Sequence, residues 1–150
     1  MRRRSPLPPK GKKRKPRVVV DTSVLVAGIS GFREHFVSGR NASADVLNQW
    51  AERNHFAWLV TEDILDEYKE ILKRLGVRPS LIGTVINLIR ERAEVVKVRS
   101  STDISPDPQD DAFCNCAESG NADIVITLNT RDFPEEHLKS KVVLPSELIG

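Results

Sequence analysis

Four acid-bearing segments of this chain follow or adjoin apolar β-branched runs that are predicted to be strands. Asp21 directly follows residues 18–20, and Asp132 lies in the loop after residues 124–127. Three more acids precede a helix in DPQDDAF, residues 107–113, and five lie in the helix after the second apolar run. Each segment alone has an ordinary explanation, because an acid can cap a helix or complement its dipole. Together they predict one shared carboxylate site, in which a divalent cation offsets the repulsion.

The five acids of TEDILDEYKEILKRLG are separated by their positions on a helical wheel. The apolar residues form one stripe, made of Ile64, Leu65, Tyr68, Ile71, Leu72 and Leu75. Glu67 borders this stripe, so it is the acid that we expect to reach a shared cleft. The others are interpreted as solvated charges: Glu62, Asp63, Asp66 and Glu70.

The same reasoning applies to the helix that follows DPQDDAF. Asp110 falls within about 40° of the apolar face that carries Phe113, whereas Asp111 points well away from it. We therefore predict that Asp110 faces the site, with Asp107 and Asp111 as accessory polar groups.

Along the chain, the segments that contain or adjoin these acids alternate between predicted strands and predicted helices. Such alternation predicts a parallel sheet of about five strands with helices on both faces, and an active site beyond the carboxyl ends of the strands. The strands are expected at 18–20, 58–60, 95–98, 124–127 and 142–144. The first helix is expected at 22–29, ending at Gly28 and Gly31, and is followed by a loop at 31–40. Further helices are expected at about 44–51 with Asn41 or Ser43 as the cap, after the capping residue Thr61, at 79–93 and at 110–119.

The charge is distributed unevenly over the 150 residues, whose net charge is +2. Residues 1–17 hold nine Lys or Arg and no acid, so the remaining 133 residues carry a net charge of −7. We predict a disordered basic arm at 1–16 and one folded domain at 17–150. The arm could bind a polyanion, with Arg14, Lys15 and Arg17 as expected RNA contacts, or it could serve only solubility. Further basic candidates in the body are Lys73, Arg74, Arg78, Arg90 and Arg92.

Other features exclude several classes of protein. No apolar run is long enough to cross a membrane, and no secretory signal follows the basic start. Cys114 and Cys116 are spaced poorly for a disulfide and are too few for structural zinc, so reduced thiols in a cytoplasmic protein are expected. There is no phosphate-binding glycine loop, and no His, Ser or Cys constellation competes with the carboxylates.

Three motifs in order resemble the PIN-domain family, and most closely its bacterial branch of toxins from toxin–antitoxin systems. These motifs are VVVDTSVLVAG, TEDILDEYKEIL and DPQDDAFCNCAESGNADIVITLNTRDF, and the resemblance covers about residues 17–145. It implies a three-layer α/β/α sandwich and Mg²⁺- or Mn²⁺-dependent endoribonuclease activity. It also implies frequent homodimerisation and, for a toxin, an antitoxin partner.

The resemblance assigns roles to individual residues. Asp21, Glu67 and Asp110 match the family's acids, while Ser23 and Thr127 match accessory polar positions. Where the family often has Asp, this chain has Asn129, and Asp132 can supply the fourth charge. Because Asn129 lacks a carboxylate, either one or two metal ions remain possible.

The resulting hypothesis is hydrolysis of RNA to a 5′-phosphate and a 3′-hydroxyl by a site of Asp21, Glu67, Asp110 and Asp132. The alternatives are a housekeeping RNA-processing or DNA-cutting nuclease, a non-catalytic RNA-binding module, and a phosphatase-like or response-regulator-type pocket. The last lacks a convincing lysine after the later strands and leaves Glu67 unexplained.

Overall fold

Five parallel strands form the centre of the protein in a computed structural model, which describes residues 15–33, 41–98 and 111–149. The strands are β1 (Arg17–Val20), β2 (Ala57–Val60), β3 (Glu94–Val95), β4 (Ile124–Ile126) and β5 (Lys141–Val143). Their order in the sheet is β3-β2-β1-β4-β5. The predicted parallel sheet is therefore confirmed, with boundaries that shift by one or two residues. The main difference is β3, which is shorter than the predicted 95–98.

Helices surround this sheet in the predicted three-layer α/β/α arrangement. They are α1 (Thr22–Arg33), α2 (Ala42–Arg53), α3 (Glu62–Arg74), α4 (Pro79–Arg92), α5 (Asp111–Ser119) and α6 (Pro145–Ile149). Two of the expected caps are present: the Asn41 side chain accepts from the Ala44 amide at 3.0 Å, and Thr61 accepts from the Ile64 amide at 3.1 Å. These bonds satisfy amides that a helix leaves unpaired at its start.

The first helix is longer than the glycines of the sequence suggested. We expected α1 to end near Gly28 and a loop to begin at Gly31, but the helix continues to Arg33. A Cβ atom at Gly28 would lie 2.4 Å from Leu47 Cδ1 and 3.1 Å from the Ser43 carbonyl oxygen. Gly28 thus allows α1 and α2 to pack closely and does not terminate the helix. The rest of the predicted loop, 34–40, lies outside the described residues.

Apolar side chains from the strands and helices form one core between the layers. The largest fully buried side chains include Trp58, Tyr68, Phe56 and Phe113. Cys114 and Cys116 are also buried and form no disulfide, in agreement with the prediction. In the described part of the chain, no helix has the length and apolar character needed to cross a membrane.

Candidate active site at the carboxyl edge of the sheet

The strand order places a crevice between β1 and β4, because the chain proceeds from β1 to β2 on one side and returns to β4 on the other. Parallel α/β sheets bind ligands at such switch points, beyond the carboxyl ends of the strands. Asp21 comes directly after β1, and Thr127 comes directly after β4. The amide of Asp21 donates to the Ile126 carbonyl at 2.9 Å, so the two strand ends are tied together beside the crevice.

Asp21 is held by two hydroxyl groups from different segments. Ser23 Oγ donates to Asp21 Oδ2 at 2.7 Å, and Thr127 Oγ1 donates to the same oxygen at 2.8 Å. Asp21 is only 5% exposed, yet the described residues make no hydrogen bond to its Oδ1. The carboxylate is therefore fixed in orientation through one oxygen.

Glu67 occupies the position that the helical wheel predicted. It is half-buried, whereas the four other acids of α3 are exposed: Glu62, Asp63, Asp66 and Glu70. Thr22 Oγ1 donates to Glu67 Oε2 at 3.1 Å and so links the start of α1 to α3. No pattern in the sequence singles out Thr22, because its neighbour Ser23 has the same chemistry and only the fold determines which acid each hydroxyl reaches.

Tyr68 connects α3 to the end of β1. Its hydroxyl donates to the carbonyl oxygen of Val20, the residue before Asp21. Complete burial raises the pKa of Tyr68 well above its usual range, so the hydroxyl keeps its proton and remains a donor. The residue before Asp21 and the residue after Glu67 are thus joined by a buried hydrogen bond.

The third acid of the cleft comes from the loop after β4. Asp132 ends a short 3₁₀ turn, Thr130–Asp132, its amide donates to the Asn129 carbonyl at 3.0 Å, and the next residue, Phe133, is buried. These carboxylates line one open cleft of about 530 Å³, whose residues are Asp21, Thr22, Ser23, Val26, Ala27, Glu67, Ile71, Leu128, Asn129 and Asp132.

Not every predicted site residue lies in this cleft. Asp107 and Asp110 are outside the described residues, and Asp111, at the start of α5, is not part of the lining. Within 15–33, 41–98 and 111–149, no three His, Cys, Asp or Glu side chains form a metal-binding group by themselves. The roles of the three cleft acids as metal ligands and the predicted contribution of Asp110 stay predictions.

Arg17, one of the three expected RNA contacts, lies at the edge of the sheet opposite to the cleft. Its guanidinium donates to Glu94 at 2.9 and 2.8 Å and to the Gly120 carbonyl at 3.0 Å, at the amino edge of the sheet. The hydrogen bond to Glu94 raises the pKa of Arg17 and lowers that of Glu94. This geometry does not favour contact between the guanidinium and RNA in the cleft. Lys15 is exposed, and Arg14 is not among the described residues.

Three of the five other basic candidates contact acidic or aromatic side chains of the protein. Arg90 is bonded to Glu62 at 2.8 Å, and the Arg92 guanidinium lies 5.1 Å from the centre of the Trp50 ring. Arg74 pairs with Glu70 on α3 at 2.8 Å. Lys73 and Arg78 are exposed.

The profile of the family described as "PIN domain" matches residues 17–131. The chain belongs to the PIN-domain family. Among curated proteins, no sequence matches this PIN domain significantly. A solved structure that resembles it is VapBC2 from Rickettsia felis bound to a DNA fragment from their promoter. The TM-score is 0.53 with 10% identity, over 85% of this chain and 96% of that chain, so the likeness concerns the fold.

Proposed function

We propose that this PIN domain is a divalent-metal-dependent endoribonuclease and the toxin of a toxin–antitoxin pair. The observation that carries the proposal is that Asp21, Glu67 and Asp132 line one cleft at the switch point of the sheet. Membership of the PIN-domain family supports nuclease activity, because the family is in general one of nucleases. The sequence resemblance to the toxin branch and the structural likeness to VapBC2 support the toxin assignment and a protein antitoxin.

The chemistry of the donor atoms suits Mg²⁺ or Mn²⁺. The acids of the cleft and their neighbours offer carboxylate, hydroxyl and amide oxygens, which hard divalent cations prefer. Asp21 fits this role because both of its hydrogen bonds reach Oδ2 and none from the described residues reaches Oδ1. Asp21, Glu67 and Asp132 would hold one or two ions, together with Asp110. When bound, such an ion lowers the pKa of a water molecule and stabilises charge on a phosphodiester.

The hydroxyl side chains around the acids orient the carboxylates. Ser23 and Thr127 fix the Asp21 carboxylate, and Thr22 fixes Glu67, so that the ligands do not reorganise when substrate binds. In the proposed hydrolysis, the oxygen of water bonds to phosphorus and the bond to the 3′ oxygen breaks. The 3′ oxygen takes up a proton, which leaves a 5′-phosphate and a 3′-hydroxyl. The acidic cleft repels RNA on its own, so basic groups such as Lys15 and Lys73 are proposed to draw it in.

A matched pair of double variants tests the site. Asp21→Asn with Glu67→Gln removes two cleft acids, and Asp66→Asn with Glu70→Gln removes two exposed acids of similar charge. With Mn²⁺ and a panel of RNA and DNA oligonucleotides, we expect the first variant to lose cleavage and the second to retain it. Circular dichroism checks both folds. Unchanged RNA cleavage by the cleft variant would disprove the proposed site, and cleavage of DNA alone would favour a DNA-cutting nuclease.

Metal binding and the toxin role need separate measurements. Titration with Mn²⁺ should raise the melting temperature of the wild type by mass action and leave that of the cleft variant unchanged. Expression in a bacterium should arrest growth, and the product of a neighbouring gene should relieve the arrest. RNA cleavage without growth arrest would favour a housekeeping enzyme. RNA binding with neither cleavage nor metal stabilisation would favour a non-catalytic module.

A further inference from the structure

The cleft that holds the acids also has an apolar lining. Val26 and Ala27 from α1, Ile71 from α3 and Leu128 from the loop after β4 all contribute to it. A site for a hydrated cation alone needs none of these side chains, since its ligands are oxygen atoms. The volume of about 530 Å³ lies in the range of small-molecule sites, which combine apolar walls with a few placed polar groups. The cleft therefore has the lining to hold more than a cation and a phosphate.

Leu128 is the most accessible part of this lining. It is 45% exposed although it lies between the buried Thr127 and the cleft residue Asn129. Isolated exposed leucines are common on protein surfaces. Leu128 differs from them because its backbone is fixed to the acid site: its amide donates to Ser23 Oγ at 3.2 Å. Ser23 in turn donates to Asp21, so the position of Leu128 is coupled to that of the carboxylate.

Asn129 completes the same loop. Its amide donates to Thr127 Oγ1 at 2.9 Å, and its side chain is exposed in the cleft. The backbone amides of Leu128 and Asn129 are both bonded to hydroxyls, and the side chains of these two residues offer a ligand one apolar group and one carboxamide. A carboxamide donates and accepts at once, which allows paired hydrogen bonds to the edge of a base, adenine above all.

We propose that Leu128 and Asn129 form a subsite for one nucleobase of single-stranded RNA, next to the phosphate that is cut. The face of the base packs on Leu128, and its edge bonds to the carboxamide of Asn129. Unstacked bases in single-stranded RNA expose both an apolar face and polar edges, whereas in a duplex the faces are covered. The inference rests on the proposed function, because it takes the substrate to be RNA held at the carboxylates.

The experiment compares Leu128→Ala with Leu144→Ala, the second at a leucine 37% exposed after β5 that does not line the cleft. Both are placed in the full-length chain with Asp21 retained, because the subsite depends on a phosphate held at the carboxylates. Fluorescence anisotropy with Mn²⁺ measures Kd for labelled, cleavage-resistant phosphorothioate octamers of adenylate, of uridylate and of ribose phosphate without bases. Cleavage of the unmodified RNAs gives kcat and KM.

We expect Leu128→Ala to weaken binding of the adenylate octamer about fivefold through lost apolar contact. Binding of the base-free octamer should not change, and Leu144→Ala should stay within about twofold of the parent, as should Leu128→Met, which keeps apolar area. In cleavage, Leu128→Ala should raise KM more than it lowers kcat. Asn129→Ala should reduce the preference for adenylate over uridylate.

Other results would overturn the subsite. An unchanged Kd for Leu128→Ala, or an equal loss for octamers with and without bases, would show that Leu128 does not contact a base. If Asn129→Ala weakens binding of the adenylate and uridylate octamers equally, Asn129 does not distinguish the two bases. If these results come with normal RNA cleavage by the wild type, the subsite fails and the proposed function stands. If the wild type cleaves no RNA, both fail.

Discussion

The carboxylates at the two edges of the sheet have different hydrogen-bond donors. At the amino edge, Glu94 is held by both terminal nitrogens of the Arg17 guanidinium, and Asp123 accepts from the Arg17 amide at 2.8 Å. At the carboxyl edge, Asp21 and Glu67 accept from the neutral hydroxyls of serine and threonine. At the amino edge, Glu94 is paired with a cation of the protein, whereas at the carboxyl edge the described donors to Asp21 are neutral hydroxyls that fix its orientation. The first arrangement serves stability, and the second suits a cation from solution.

The largest effect should follow from removing charge at the carboxyl edge. Asp21→Asn keeps the shape of the side chain and leaves an oxygen for the two hydroxyl donors, but it removes the charge that a cation needs. We expect RNA cleavage to fall on the order of a thousandfold, comparable to losing a main electrostatic group of an active site. Single-turnover kinetics with Mn²⁺ measure this change. A loss below tenfold, with the fold intact by circular dichroism, would contradict the comparison.

A smaller effect should follow from removing a hydroxyl that orients the acid. Thr127→Val keeps the shape of the side chain but deletes the donor to Asp21 and the acceptor of the Asn129 amide. Groups that orient metal ligands typically contribute 10- to 100-fold in metal affinity or activity. We expect a loss in the range of about 10- to 100-fold in the Mn²⁺ affinity measured by calorimetry. Thr84→Val is the control, since this hydroxyl only donates to the Ser80 carbonyl on the surface of α4.

At the amino edge, we expect a change in stability without a change in activity. Glu94→Gln removes the partner of Arg17, and since Glu94 is largely exposed, the loss should be below about 1 kcal/mol. The pH dependence of this stability loss follows from the lowered pKa of Glu94. The ion pair stabilises the fold above the usual glutamate pKa, and its contribution disappears as the pH falls through the lowered pKa. Urea unfolding from pH 7 to 3 tests this. A stability difference that persists at pH 3 would contradict the assignment to ionic pairing.

The smallest effect concerns a thiol buried near the same edge. Burial raises the pKa of Cys116 to about 12, with smaller opposing effects from Glu94 and Arg17. Because the thiolate is the reactive form, we expect negligible alkylation of native Cys116 by iodoacetamide at pH 8 and rapid alkylation in urea. Mass spectrometry of the digested protein measures both. Rapid labelling under native conditions would show that this edge opens readily.

Periodicity and strand position predicted much of this molecule, and they did so for a physical reason. The half-buried position of Glu67 follows from its angle to the apolar stripe of α3, which the sequence contains in full. Asp21 follows from its place at a strand end, since parallel strands share one carboxyl edge. The lining of the cleft by Asp132 was expected from the same rule.

The errors came from contacts that depend on residues distant in sequence. Gly28 was interpreted as a helix end, although it is required by the approach of Leu47 from α2. The bond from Thr22 to Glu67 joins residues 45 positions apart, and no local pattern encodes it. The bond from Arg17 to Glu94, 77 positions away, was likewise not foreseen, and the role of Arg17 in binding RNA stays a prediction. The assignment of Asp110 and the disordered state of residues 1–16 stay predictions.

The two links from α3 to residues on either side of Asp21 have a mechanical consequence. A single contact would leave α3 free to pivot, but here Tyr68 bonds to Val20 at the end of β1, and Glu67 bonds to Thr22 at the start of α1. We expect the gap between the Asp21 and Glu67 carboxylates to be stiff and to adjust little to ions of different radius. Ca²⁺ needs bonds of about 2.3–2.6 Å and Mg²⁺ about 2.0–2.1 Å. We expect this stiffness, more than the number of charges, to determine which cation the cleft accepts, and removing the Tyr68 hydroxyl should relax that selectivity.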